Sequence, residues 1–136
     1  MTPELLADLF LEIKKLHDFT IEQHGGLSGF RDAAALHFAV ARPWMTAGGE
    51  EIFNNHFQKA AAIAESIVRG HPFNDGNHRS GLAAAHIMLG MLGLRLVASH
   101  DEQREEILKL GADPDSLDAF ARWLERNSIP RSRVTP

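Results

Sequence analysis

The stretch HPFNDGNHRSGLAAAHIMLGMLGL, residues 71–94, joins ten residues crowded with hydrogen-bonding groups to a long apolar segment. From Asn77 onward the side chains are small or apolar nearly all round at helical spacing, the pattern of a helix buried at the centre of a domain. Just before it, Pro72 and Gly76 interrupt any helix, so residues 71–76 read as a loop at the N-terminus of that central helix. Gly70 supplies the stop of a preceding helix. The fold is organised around a helix-loop-helix whose junction carries the polar crowd.

Outward from this junction, apolar residues recur at helical spacing almost everywhere, and alternation of period two is nearly absent. Thr2 caps a first helix with Pro3 at its first position, and Leu5, Leu9, Ile13 and Leu16 form its stripe up to Gly25 and Gly26. Asp32 caps a second helix through Leu36, Phe38 and Val40, closed by Pro43. A third begins near Glu50 and turns Phe53, Phe57, Ala60, Ala64, Ile67 and Val68 to one side. After Gly93, residues 94–98 make a short apolar connector. Ser99 and Glu102 form a capping box for a helix reaching Gly111. Asp113 or Asp115 starts a last helix with Leu117, Phe120 and Leu124. The expectation is an all-α, compact bundle of about six helices around the buried one. The tail from residue 130 is polar, basic and expected to fray.

The chain of 136 residues suits one domain, 1–136, and shows no repeat or dividing linker. Hydrophobic residues at 44% and charged residues at 24% are ordinary for a globular protein. A formal charge of -4 without a basic stripe argues against direct nucleic-acid binding. No apolar run approaches a membrane span, and the opening MTPELLADLF has no basic n-region, so neither a membrane nor a signal peptide is expected. The absence of cysteine excludes disulfides and thiolate metal sites, and a cytoplasmic location is the simple reading.

The junction is suited to an anion. The first turn of a helix offers N–H groups without partners and the positive end of the helix dipole. Gly76 allows close backbone approach, Asn74 and Asn77 tolerate turn geometry, and Arg79 sits in the first turn, where its fork can grip phosphate oxygens. Asp75 beside a phosphate requires a bridging cation, for which Mg²⁺ is the usual choice. His71 offers an imidazole, whose ordinary pKa lies near neutrality, to take a proton from a hydroxyl nucleophile.

These residues carry a resemblance: HPFNDGNHR is similar to the signature of the Fic/Doc proteins, HxFx(D/E)(G/A)N(G/K)R. GGLSGFRD at residues 25–32 and the pair Arg42 and Pro43 resemble that family too, so the resemblance spans roughly the first 100 residues. Fic/Doc proteins transfer part of a nucleotide to a protein hydroxyl. The resemblance implies His71 as general base, Phe73 as the anchor of the loop in the core, and Asp75 as the holder of Mg²⁺. It implies loop N–H groups of residues 74–77 as the phosphate cradle, Arg79 as its counter-charge, and residues 25–32 as a flap over the site.

Two positions bear on the subclass. Members that transfer AMP usually carry Gly where His78 stands and a second arginine where Leu82 stands. Small Doc-like members have Lys at the first position and no second arginine. There the resemblance implies a reversed ATP that presents its γ-phosphate, making a protein kinase that modifies a threonine of elongation factor Tu and halts translation. His78 is bulky like that lysine, though shorter. AMP transfer is the alternative reading, and a catalytically silent protein-binding module a second one. A hydrolytic metal site of His71, Asp75 and His78 is disfavoured because Pro72 and Gly76 break the register that would put them on one face. Many relatives restrain themselves with an (S/T)xxxE(G/N) helix. The nearest stretch here, TAGGEE at residues 46–51, is incomplete, so a separate, Phd-like antitoxin is expected to fold as an amphipathic helix into an apolar groove. His17, His24, His37, His56, His86 and His100 are scattered; His56 and His86 fall near apolar faces, where hydrogen-bonded structural histidines are expected. Trp44 and Trp123 read as packing residues.

Overall fold

The computed structural model describes residues 1–132. They form α1 (Pro3–His24), α2 (Ala33–Ala41), a 3-10 turn (Arg42–Trp44), β1 (Thr46–Ala47), β2 (Glu50–Glu51), α3 (His56–Gly70), α4 (Asn77–Met91), β3 (Leu94–Leu96), α5 (His100–Lys109), α6 (Ser116–Arg126) and β4 (Ser128–Pro130). This is a helical bundle with two small antiparallel pairs at its margins. No helix among the described residues is long and apolar enough to cross a membrane.

Local chemistry sets the helix starts. Thr2 Oγ1 accepts from Leu5 N–H at 3.1 Å, Asp32 from Ala35 at 3.3 Å and Ser99 Oγ from Glu102 at 3.2 Å, each satisfying a donor that the first turn leaves free. The third helix starts later than its apolar spacing predicts. Gly48 and Gly49, both at positive φ, turn β1 back on β2 in the register Thr46↔Glu51 and Ala47↔Glu50. Asn55 then caps α3 through Gln58 N–H at 2.8 Å. The buried Lys59 ties the hairpin to α3 by bonding the Phe53 carbonyl and Glu51, the latter at 3.2 Å. TAGGEE is thus a hairpin, not a helix.

The apolar connector after Gly93 is also a strand. β3 pairs with β4 in the register Leu94↔Pro130 and Leu96↔Ser128. Arg131 N–H donates to the Gly93 carbonyl at 2.9 Å and its guanidinium to the Gly90 carbonyl at 3.1 Å. The expected frayed tail therefore meets a paired strand at residue 130, while residues 133–136 lie outside the described residues.

At the centre, α4 buries Ala84, Ala85, Met88 and Leu89, and α3 buries every residue from 59 to 68. The two lie so close at Gly81 that an added Cβ would sit 3.0 Å from Val68 Cγ2 and 3.1 Å from the Ala64 carbonyl. Helix α1 closes one side with Leu9, Ile13 and His17 inward; Leu5 is exposed and Leu16 only half-buried, so the stripe is rotated by one residue at its end. Arg42 lies on α3, bonding Glu65 at 2.8 Å and Ser66 Oγ at 3.0 Å, an ion pair that fastens the 3-10 turn. His86 bonds Gln103 at 2.7 Å, the structural role its position predicts.

Candidate active site

The C-terminal end of α3 is sealed. His71 caps it in the left-handed region at φ 48, the one non-glycine residue with positive φ among the described residues. Such a conformation costs free energy and persists only where the surroundings impose it. Arg31 imposes it from 40 residues away: its Nε donates to the His71 carbonyl at 2.7 Å and its Nη2 to the Gly70 carbonyl at 2.6 Å. The N–H groups of Arg31 and Asp32 both donate to the Pro72 carbonyl, at 2.8 and 3.0 Å. The imidazole of His71 stays exposed, with Nδ1 3.5 Å from Asn77 Nδ2, a contact at the outer limit of hydrogen bonding that leaves the ring free to present a bare nitrogen.

The loop is then pinned to the core by aromatic packing. Phe73 is fully buried, stacked on His17 of α1 with ring centroids 3.8 Å apart and on Phe30 at 5.4 Å. Phe10 continues the row to Phe30 at 5.8 Å and to His37 at 4.2 Å. Asn77 staples the loop internally, accepting from Phe73 N–H and donating to the Phe73 carbonyl, both at 3.0 Å. Segment 25–32 runs beside the loop: Asn74 N–H donates to the Gly29 carbonyl at 3.1 Å, and Asn74 Nδ2 to the Ser28 carbonyl at 3.0 Å. Leu27 N–H donates to Asp75 Oδ2 at 3.3 Å, and a Cβ at Gly26 would lie 2.9 Å from that oxygen, so only glycine permits this approach.

The N-terminus of α4 is left open. Its cap is Gly76, left-handed at φ 76 and without a side chain to offer, and the N–H groups of Asn77, His78 and Arg79 find no partner among the described residues. They border a cleft of about 450 Å³ lined by His71 and residues 74–79, with Ile21 and Gly25 completing its lining. A groove of about 490 Å³ between α2 and α3, lined by Phe38, Arg42 and Glu65 among others, is as large but lacks such convergent free donors. Unpaired N–H groups, a helix dipole and one guanidinium suit a phosphate chain. No cluster of three His, Asp or Glu that could cage a metal occurs among the described residues, so a cation held by Asp75 would draw most of its ligands from outside the chain. That donor set fits Mg²⁺, which takes one carboxylate and completes its shell with phosphate oxygens and water.

The site residues read from the sequence, 71 and 73–79, all meet at this junction, but they divide by use, and Arg42 lies apart from them against Glu65 and Ser66. Asp75, Gly76, His78 and Arg79 line the cleft, and Phe73 lies beneath it. Asn74 departs from the cradle, because both its main-chain and side-chain donors are committed to residues 28 and 29. Asn77 contributes its main-chain N–H only, its side chain being spent on Phe73. Three contributors escaped the sequence reading: His17, Ile21 and Arg31. His17 alone carried a legible signal, a polar residue four positions after Ile13 and eight after Leu9 on a buried face.

Comparison with known proteins agrees with this geometry. The model of the Fic/DOC family matches residues 10–89, which include α1 from Phe10 onward, segment 25–32 and the whole loop. The chain is 40% identical over 102 residues to "Toxin Doc" of Mycolicibacterium smegmatis, covering 74% of this chain and 78% of that protein. It is 33% identical over 88 residues to "Protein kinase doc" of Escherichia phage P1, covering 65% of this chain and 69% of that one.

Proposed function

The chain belongs to the Fic/DOC family, and from that premise we propose that it is a Doc-like protein kinase, moving the γ-phosphate of ATP to a serine or threonine hydroxyl of a translation factor, elongation factor Tu. The observation that carries the reading is the wall of the cleft at the start of α4: a half-buried His78 beside a single guanidinium, Arg79, with the partly buried apolar Leu82 one turn on. ATP would supply the transferable phosphoryl group, and Asp75 would hold Mg²⁺, whose positive charge would offset that of the phosphates. His71, exposed at the mouth, takes the proton from the target hydroxyl as its oxygen attacks the γ-phosphorus, whose bond to the bridging β–γ oxygen breaks to release ADP. The N–H groups at the start of α4 and the Arg79 guanidinium hold the phosphate chain and offset its charge. His78 narrows the wall and favours the pose that turns the γ-phosphate outward.

A kinase acting on translation needs restraint, and the hairpin at residues 46–51 supplies no inhibitory helix. We assign that restraint to a separate, Phd-like antitoxin whose disordered segment folds on binding, with a negative heat-capacity change as its signature. The deciding experiment incubates the protein with elongation factor Tu, Mg²⁺ and ATP labelled at either the α or the γ position. Transfer of γ label, with a phosphate on the target by mass spectrometry, is the expected result; an added AMP overturns the kinase reading in favour of AMP transfer. Expression of the wild-type chain alone is expected to arrest growth and expression of the His71→Ala variant to permit it. Free growth with the wild type would leave the silent binding module as the better account.

A further inference from the structure

His17 is fully buried on α1, yet it is bound to the loop and not to its own helix. Its ring lies flat on Phe73, the planes 5° apart, and its Nε2 is 2.7 Å from the Asp75 carbonyl. A carbonyl oxygen can only accept, so the imidazole donates from Nε2 and carries its proton there. Nδ1 is buried without a hydrogen-bond partner, 3.6 Å from Asp18 Oδ1.

The consequence follows from the peptide bond. In a planar trans peptide the C=O of one residue and the N–H of the next point in opposite directions, and no peptide bond among the described residues is cis. Drawing the Asp75 carbonyl onto His17 therefore turns the Gly76 N–H away from His17; Gly76 lines the cleft, and that N–H has no partner among the described residues. A Cβ at Gly76 would lie 3.6 Å from His17 Cδ2, so ring and loop are in van der Waals contact as well as hydrogen-bonded. We infer that His17 is a positioning residue: by donating from Nε2 to the Asp75 carbonyl it aims the Gly76 N–H as a phosphate donor and sets the backbone from which the Asp75 carboxylate projects. This rests on the nucleotide reading of the cleft.

The test compares wild type with His17→Phe, which keeps an aromatic ring against Phe73 and removes the donor. MgATP affinity is measured by calorimetry in the absence of any target protein, the Gly76 amide is followed by NMR, and circular dichroism and melting report the fold. The variant is expected to stay folded and bind MgATP about tenfold more weakly, the equivalent of one hydrogen bond, with the Gly76 amide no longer shifting on MgATP addition. Equal affinity and an unchanged Gly76 shift would overturn the role of His17. Failure of the wild type itself to bind MgATP overturns the nucleotide reading instead. If the variant does not fold, the wild-type ring decides: an Nε2–H tautomer with a Gly76 amide that moves on MgATP addition upholds the inference, and an Nδ1–H tautomer overturns it.

Discussion

The two ends of the loop between α3 and α4 are treated in opposite ways. On the α3 side, the carbonyls of Gly70, His71 and Pro72 are all taken up, by the Arg31 side chain and by the N–H groups of Arg31 and Asp32. On the α4 side, the first three N–H groups are left free beneath a glycine cap, although four other helices of the same chain start under a side-chain cap. A satisfied backbone fixes a geometry, and an unsatisfied one is a binding surface. The loop places a strained histidine next to a row of donors without protein partners among the described residues, so that in the proposed mechanism one end supplies the reacting group and the other the grip.

Breaking the two ends separately should yield different defects. The largest expected effect is that of His71→Ala, which removes the proposed general base from the sealed end while leaving the donors of α4 in place. Its single-turnover transfer rate should fall by roughly 10² to 10⁴ with MgATP affinity nearly unchanged. Retention of full activity would refute the proposed mechanism. Next comes Arg79→Ala, which weakens the open end: MgATP affinity and rate should both drop, affinity by about 10- to 100-fold for the loss of a charge-assisted contact. Parallel calorimetry on the two variants separates rate from grip.

Arg31→Ala unseals the α3 end without touching the cleft. The left-handed conformation of His71 loses its restraint, so the transfer rate should fall about tenfold, with MgATP affinity held within about threefold and a stability loss of about 1 kcal/mol by urea denaturation. A loss of affinity as great as that of Arg79→Ala would show that the two ends are not independent. The smallest effect concerns Asp18, next to His17. The Lys14 ammonium hydrogen-bonded to it holds its carboxyl below the ordinary value of 3.8. The folded state thus favours the ionised carboxylate, so this stabilisation is present at neutral pH and fades as pH falls below that value. Asp18→Asn should cost about 0.3–0.5 kcal/mol at pH 7 and nothing in strong acid, read from unfolding midpoints at both pH values.

What could be read from the sequence follows the same division. The open end is contiguous: Gly76, the free first turn and Arg79 lie within one short stretch, so helix chemistry alone locates them. Helix starts marked by Thr2, Asp32 and Ser99 were equally local. The sealed end depends on residues brought from elsewhere. Arg31 follows a glycine-rich turn and precedes a capping aspartate, and nothing in that context says that its fork spans to residues 70 and 71. His17 was passed over because Leu16 continues the apolar spacing from Ile13 on the other edge of the stripe, about 100° away around the helix. The third helix was started near Glu50, too early, since Phe53 and Phe57 extend the apolar spacing of α3 backward past Asn55. The pairing of β3 with β4 joins segments too short to show alternation.

The bonds that hold the loop also differ in how much chain they enclose. Helices α3 and α4 adjoin in sequence and meet closely at Gly81, so their hairpin is a local structure. The Arg31 bonds span 39 and 40 residues, and the His17 bond spans 58. Contacts of short sequence separation form ahead of distant ones, whose closure entropy must be met first. The helical hairpin is therefore the early unit of folding, and the cleft is completed only when α1 docks. The same order runs backward in native fluctuations: partial release of α1 withdraws His17 and Ile21 and disarms the site while α3 and α4 stay paired. Amide exchange should then be faster at residues 73–76 than at residues 60–68 of α3, and a molecule caught in that partly open form would be folded by most spectroscopic measures and inert.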